Sequence, residues 1–205
     1  MTQYKIFDNV IPQTTQRRIY DIVTGRDFSW NIMSDSTYAP GIVVPDFWNP
    51  APTVSFIREV YAYGEIVTIQ MMPWCLQILD SVLEKENIEL EELLRIQVNL
   101  LYGSTNKDYK EGGWTTAHVD QDFDHYVLLY YINDSDGDTF MFNEKLGDEF
   151  SEFTEMTRVT PTAGRALLFD GKYFHSASNP INNNKRLAIN FNFKVRKKDG
   201  NKPTE

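Results

Sequence analysis

One cysteine, Cys75, is all that the 205 residues contain, so no intramolecular disulfide can form. That usage fits a reducing compartment. Long apolar runs are missing as well. No stretch approaches the ~20 residues that a membrane-spanning helix needs. The opening residues, MTQYKIFDNVIPQ, lack a basic region followed by a continuous apolar segment. No signal peptide is expected from them, and a cytoplasmic protein with no membrane partner is the default. Positive charge is in short supply: 20 Lys and Arg against 29 Asp and Glu leave a net charge of −9. A phosphate backbone calls for a basic face, so a dedicated nucleic-acid binder is not expected. There is no internal repeat and no low-complexity tract.

What is present is a chain able to fold. Hydrophobic residues make up 41% and aromatic residues 14%, with 11 tyrosines and 13 phenylalanines favouring sheet. The length suits one domain with a sizeable core. Tyr4 to Pro12 reads as a short strand, and Gln13 to Gly25 as an amphipathic helix with Ile19, Ile22 and Val23 on one side. Phe28 to Met33 reads as a strand. Ser34 to Pro52 carries four prolines and many aromatics, and reads as irregular structure able to form a lip over a pocket. Val54 to Val67 is open between strand and loop. A helix opens at Pro73, with Leu76, Leu79, Val82 and Leu83 as its apolar stripe. From Leu93 to Gly103 the pattern turns to period two. Ile96, Val98 and Leu100 share one face, and Gln97, Asn99 and Leu101 the other. Strand patterns dominate after Gly103: HYVLLYYIN, TFMFNE, TRVTPTAGRALLFDG and RLAINFNFKV. Helices first and spaced strands afterwards predict a mainly β, α+β chain ending in a sandwich or barrel. The domain is expected over 1–195, with its β core over about 94–195 and a charged tail over 196–205.

The chemistry gathers in Trp114 to Asn133, WTTAHVDQDFDHYVLLYYIN. In a strand, residues two apart face the same side, so His118 and Asp120 can aim two ligands at one point. A third candidate, His175, lies downstream at the end of the apolar strand RALLF that begins at Arg165. Two histidines and a carboxylate are the donor set of non-haem Fe(II) sites. Taken alone, His118-Val119-Asp120 also suits a solvated turn. Asp122, Asp124 and His125 read as an exposed β-turn, with a substrate-gripping rim as the alternative. They do not form a calcium loop, because an EF-hand needs glycine and glutamate where His125 and Tyr131 stand. His125 is expected at the rim or surface. Arg186 follows His175 by eleven residues, at the start of the last apolar strand. Its guanidinium can bind a carboxylate through two parallel hydrogen bonds, or it can be a surface charge. Arg165 reads as structural, Cys75 as a buried apolar residue, and Trp30, Phe47, Trp48 and Trp114 as core or lid packing. Asn190 and Asn192 face either a cavity or solvent.

Taken in order, these segments resemble the Fe(II)- and 2-oxoglutarate-dependent oxygenases of the prolyl 4-hydroxylase-like type. The resemblance runs from Asn99 to Phe193, roughly half the chain, through NLLYG, HVD, LLYYIN, DGDT, VTPTAGRALLFDGKYFH and KRLAINFNF. At the DGDT turn Asp136 replaces the first glycine of the family's Gly-Gly-x-Thr. The resemblance implies a double-stranded β-helix, or jelly-roll, with the N-terminal helices packed on one sheet. It implies iron held by His118, Asp120 and His175, and Arg186 paired with the far carboxylate of 2-oxoglutarate. Tyr102 and Tyr131 match positions that line or hydrogen-bond the co-substrate, and Thr139 one beside it. It also implies a dioxygenase that uses O2, with ascorbate as a stimulant. Such an enzyme hydroxylates an unactivated C–H bond of a peptidyl or small-molecule substrate, with a prolyl residue as the first candidate, and releases succinate and CO2. The rivals are a cupin-type metalloprotein that needs no keto acid and a non-enzymatic jelly-roll binding module. Arg186 separates them, because only the 2-oxoglutarate reading requires it.

Overall fold

The computed structural model describes residues 3–33, 54–103 and 114–197. The proline-rich segment after Met33, with Phe47 and Trp48, lies outside the described residues, as does the tail beyond Lys197. In chain order the elements are β1 (Tyr4–Phe7), α1 (Gln13–Thr24), β2 (Asn31–Met33), β3 (Ser55–Ala62), β4 (Glu65–Ile66), α2 (Met72–Glu86) and β5 (Ile88–Tyr102). Then come β6 (Tyr126–Tyr131), β7 (Thr139–Lys145), β8 (Glu155–Val159), β9 (Ala166–Asp170), β10 (Tyr173–Ala177) and β11 (Lys185–Lys197). No helix among the described residues is long and apolar enough to cross a membrane.

Two antiparallel sheets face each other. The larger runs β1-β9-β6-β11-β5-β3-β2, with β4 added to β3, and the smaller runs β10-β7-β8. The Thr157–Gly171 stretch, one apolar pattern in the sequence, divides between them. β8 pairs with β7 in the small sheet and β9 with β6 in the large one. The turn before Arg165 carries the chain across, with Gly164 at φ 81. That positive φ suits a residue without a Cβ.

Period two then divides each long strand between two tasks. On β11, Leu187, Ile189, Phe191 and Phe193 point outward into the core shared with the helices. Arg186, Asn190 and Asn192 alternate with them and are buried on the inner side. The outer face is covered by α1, through Ile19 and Val23, and by α2, through Cys75, Ile78, Leu79, Val82 and Leu83. Burying the five α2 side chains contributes on the order of 10 kcal/mol, as an upper bound. Pro73 sits in the first turn of α2, and Asn87 ends it in the left-handed conformation at φ 53. Cys75 is fully buried, and that burial pushes its thiol up to about 12. Between the sheets a second core joins Val127, Leu129, Tyr131 and Ala188 to Met141, Val159 and Tyr173. A third, aromatic cluster packs Trp114, Phe150 and Phe153 on Phe140, Phe142 and Phe174 outside the small sheet.

Several boundaries differ from expectation. β1 stops at Phe7 and β2 starts only at Asn31. His175 does not end the strand that begins near Arg165, because the chain turns after Asp170 and His175 lies on β10 of the small sheet. β5 begins at Ile88, not near Leu93, because Asn87 stops the helix and Leu90 pairs with Val195 of β11. The segment carrying His118 is not a full strand. A single bridge joins it to β10, with His118 N–H donating to His175 O and His175 N–H to His118 O, both at 3.0 Å.

Candidate metal centre

That bridge brings the two histidines together. Their rings lie 4.6 Å apart. The His118 Nδ1 faces the Thr116 carbonyl at 3.0 Å and the His175 Nδ1 faces that of Tyr173 at 3.4 Å. With each Nδ1–H donated to a carbonyl, the lone pair rests on Nε2, where a metal ligand needs it. Asp120 completes the set, with Oδ2 lying 3.8 Å from His175 Nε2. The ligand atoms of His118, Asp120 and His175 all fall within 4.8 Å of one another, and this is the one such group among the described residues. Two imidazoles and one carboxylate on one wall of a cavity fit Fe(II) as a facial triad.

The electrostatics prepare the same state. His175 is buried, and burial together with the neighbouring His118 lowers its pKa to about 4. It is therefore neutral at physiological pH and can bind an ion without losing a proton. Burial by itself raises the Asp120 carboxyl. Arg95, the two histidines and the Asn190 amide outweigh that and hold it well below the usual carboxylate range. The Asp120 oxygens accept three hydrogen bonds, which leaves a lone pair on Oδ1 for an ion. Oδ1 accepts from Arg95 Nη2 at 2.9 Å, and Oδ2 from Asn190 Nδ2 at 3.0 Å and Asn192 Nδ2 at 2.9 Å. Arg95 Nε in turn donates to Asn192 Oδ1 at 2.9 Å. Supporting bonds of this kind orient a metal ligand.

The triad opens onto a cavity of about 390 Å³ between the two sheets, lined also by Asn99, Leu129, Thr139 and Arg186. Arg186 is 4% exposed. Its Nε donates to Gly137 O and its Nη2 to Thr139 Oγ1, both at 2.8 Å. A Cβ on Gly137 would lie 2.6 Å from Ser178 O and 3.1 Å from Arg186 Cδ, so only glycine lets the turn close over the arginine. The Tyr131 hydroxyl also donates to Thr139 Oγ1, at 2.8 Å. With both its acceptor sites used, the Thr139 hydroxyl keeps its own proton for a partner in the cavity. Tyr131 is fully buried behind the arginine, its ring 5.6 Å from the guanidinium carbon.

The sequence-based candidates thus separate. His118, Asp120, His175, Arg186 and Thr139 surround one cavity. Tyr131 supports Thr139 from behind instead of lining it. Tyr102 does not reach the cavity. It shares the outward face of β5 with Leu100, is 50% exposed and packs edge-on against Phe56 at 5.7 Å. His125 is neither rim nor surface. It is 3% exposed and seated so closely on Gly171 that a Cβ there would meet its ring at 2.2 Å. Asp124 is exposed, as expected of a turn, and pairs with Lys172. Asp136, the departure at the family's glycine, accepts the backbone N–H groups of Ile181, Asn182 and Asn183 and shapes the loop before β11. Arg165 is structural and pairs with Asp8 at 2.7 Å. Arg95 was missed, although it lies on the face of β5 already marked by Gln97 and Asn99.

No family model and no curated protein matches the chain by sequence. Solved structures do match. A prolyl-4-hydroxylase from Pseudomonas putida aligns with 94% of this chain and 92% of its own, at 16% identity and a TM-score of 0.58. A Trichoplax adhaerens prolyl hydroxylase, solved with a peptide fragment of the hypoxia inducible factor oxygen degradation domain, covers 94% and 84% at 16% identity, with a TM-score of 0.61. The epimerase SnoN, solved with Fe3+, alpha ketoglutarate and nogalamycin RO, covers 93% and 78% at 12% identity, with a TM-score of 0.56. These neighbours share an architecture while differing in reaction. The chain has the double-stranded β-helix fold of the 2OG-Fe(II) oxygenases, prolyl 4-hydroxylase-like, with a His-Asp-His triad between its sheets.

Proposed function

We propose that the protein is a non-haem Fe(II)- and 2-oxoglutarate-dependent dioxygenase that hydroxylates an unactivated C–H bond. The observation that carries this reading is one cavity with two endings: the His118, Asp120 and His175 triad, and the buried Arg186 and Thr139 donors. A five-carbon keto diacid has matching ends, an α-keto carboxylate that chelates a metal and a second carboxylate for a guanidinium. The iron, when bound with 2-oxoglutarate and O2, supplies the oxidising power, and succinate and CO2 leave as co-products.

The chain's own residues supply binding and orientation. His118 and His175 present Nε2 because their Nδ1 atoms are tied to carbonyls. Asp120 is held ionised and in one orientation by Arg95, Asn190 and Asn192. Arg186 and Thr139 donate to the distal carboxylate, and Tyr131 keeps the Thr139 oxygen in place. Leu129 and Leu101 give the co-substrate dry walls. The organic substrate enters beside the triad. The neighbours that act on prolyl residues make an amino-acid-derived C–H the first choice. The test is succinate release from 2-oxoglutarate by the purified full chain with Fe(II) and O2. Release that requires Fe(II) and disappears in Asp120→Ala supports the reading. Release unaffected by that substitution contradicts it.

A further inference from the structure

The cavity has a second guanidinium. Arg95 lines it from the inner face of β5 and keeps 22% of its side chain exposed. Among the described residues, only one edge of this group is used. Nε donates to Asn192 and Nη2 to Asp120, and the other terminal nitrogen has no partner among the described residues. The two bonds fix the plane of the group. They leave the edge formed by its two terminal nitrogens unfilled among the described residues, on a side chain that lines the cavity, and such an edge binds a carboxylate with two parallel bonds.

The register sets where this edge lies. Arg95 pairs with Asn192, and Leu101 with Arg186. Along the paired strands the two arginines are therefore roughly 20 Å apart at the usual rise per residue. Asp120 is bonded at the Arg95 end, so the co-substrate at Arg186 leaves the Arg95 side of the triad open to the other reactant. Charge points the same way. Among the described residues that line the cavity the charged ones are Arg95, Arg186 and Asp120, which leaves one positive charge with the imidazoles as neutral ligands. A divalent ion and a dianionic keto acid cancel each other, so the excess remains inside a protein whose net charge is −9. A single carboxylate on the substrate removes it.

We infer that Arg95 anchors a carboxylate of the organic substrate, which is then a small acid or an acidic residue of a peptide. This inference rests on the dioxygenase reading above. The test uses the full chain loaded with Mn(II) and saturating 2-oxoglutarate, with probe binding read by paramagnetic relaxation of probe protons. The probes are N-acetylproline, its neutral amide, and N-acetylglutamic acid with its α-carboxyl amidated. The acid should bind at least about tenfold more tightly than its neutral amide, as a charge-assisted pair predicts. Binding of the glutamate probe assigns the carboxylate to a peptide side chain, and binding of N-acetylproline alone assigns it to a small acid or a chain terminus. Arg95→Gln should erase the preference with Mn(II) kept saturating, and Arg95→Lys should restore part of it. Equal binding of acid and amide by the wild type, or a preference that survives Arg95→Gln, overturns the anchor alone. Failure to bind Mn(II) overturns the dioxygenase reading and the anchor with it.

Discussion

The two faces of β11 differ in every property except their backbone. Outward, Leu187, Ile189, Phe191 and Phe193 are fully or almost fully buried among apolar residues. Inward, Arg186, Asn190 and Asn192 are as deeply buried, yet each holds hydrogen bonds to the triad or to the turn beside it. Burial alone therefore does not tell a stabilising residue from a chemical one in this chain. The separation rests on the strand's period of two and on whether each buried polar atom has a partner. Variants on the two faces should fail in different ways, and that difference can be measured.

The largest effect is expected on the inner side. His175→Ala removes a ligand, so its loss of metal affinity should exceed the ~10- to 100-fold typical of losing a supporting partner. A metal titration by calorimetry checks this, and the thermal stability of the metal-free chain should change far less. On the outer face, Phe191→Ala should cost about 3–5 kcal/mol of stability. Urea unfolding measures that cost, while metal affinity in the folded fraction should hold. Arg186→Ala should weaken 2-oxoglutarate binding by about 100-fold through loss of charged hydrogen bonds, with metal binding kept. The smallest effect concerns pH. The His175 pKa is lowered on folding, so the unfolded chain binds more protons below the ordinary histidine value. The stability of the metal-free protein should be flat above about pH 6.5 and fall toward pH 4. The slope from one proton is at most about 1.4 kcal/mol per pH unit. Asp120, also lowered on folding, adds slope only below about pH 5, where the unfolded carboxyl begins to take up protons, so the interval between about pH 6.5 and 5 reports the histidine. A slope in that interval that persists in His175→Ala contradicts the assignment.

Much of this was legible in the residues, because strand alternation and ligand chemistry are local signals. His118, Asp120, His175 and Arg186 announce themselves by type and order, and α2 by its proline and apolar stripe. Tyr102 could have been excluded by the same rule, since it shares parity with Ile96, Val98 and Leu100 and so faces away from the cavity. Arg95 lies on the inner face by that parity. What the sequence did not show was its partner, because Asp120 is 25 residues away and meets it only through the fold. His125 was misplaced for a related reason. Its acidic neighbours Asp122 and Asp124 suggest water, but Gly171, distant in the chain, makes room for the ring to bury. Asn190 and Asn192 could face either way until the pairing of β11 with β5 and β6 settled the side.

The most direct test of the central claim is an anaerobic titration of the full chain with Fe(II), with and without 2-oxoglutarate, followed in the visible range. A weak metal-to-ligand charge-transfer band should appear only with both. That band should be lost in Arg186→Ala at matched co-substrate and recovered at high concentration. Iron bound through His118, Asp120 and His175 with no band at any 2-oxoglutarate concentration would rule out a co-substrate site at Arg186 and leave a metalloprotein that needs no keto acid.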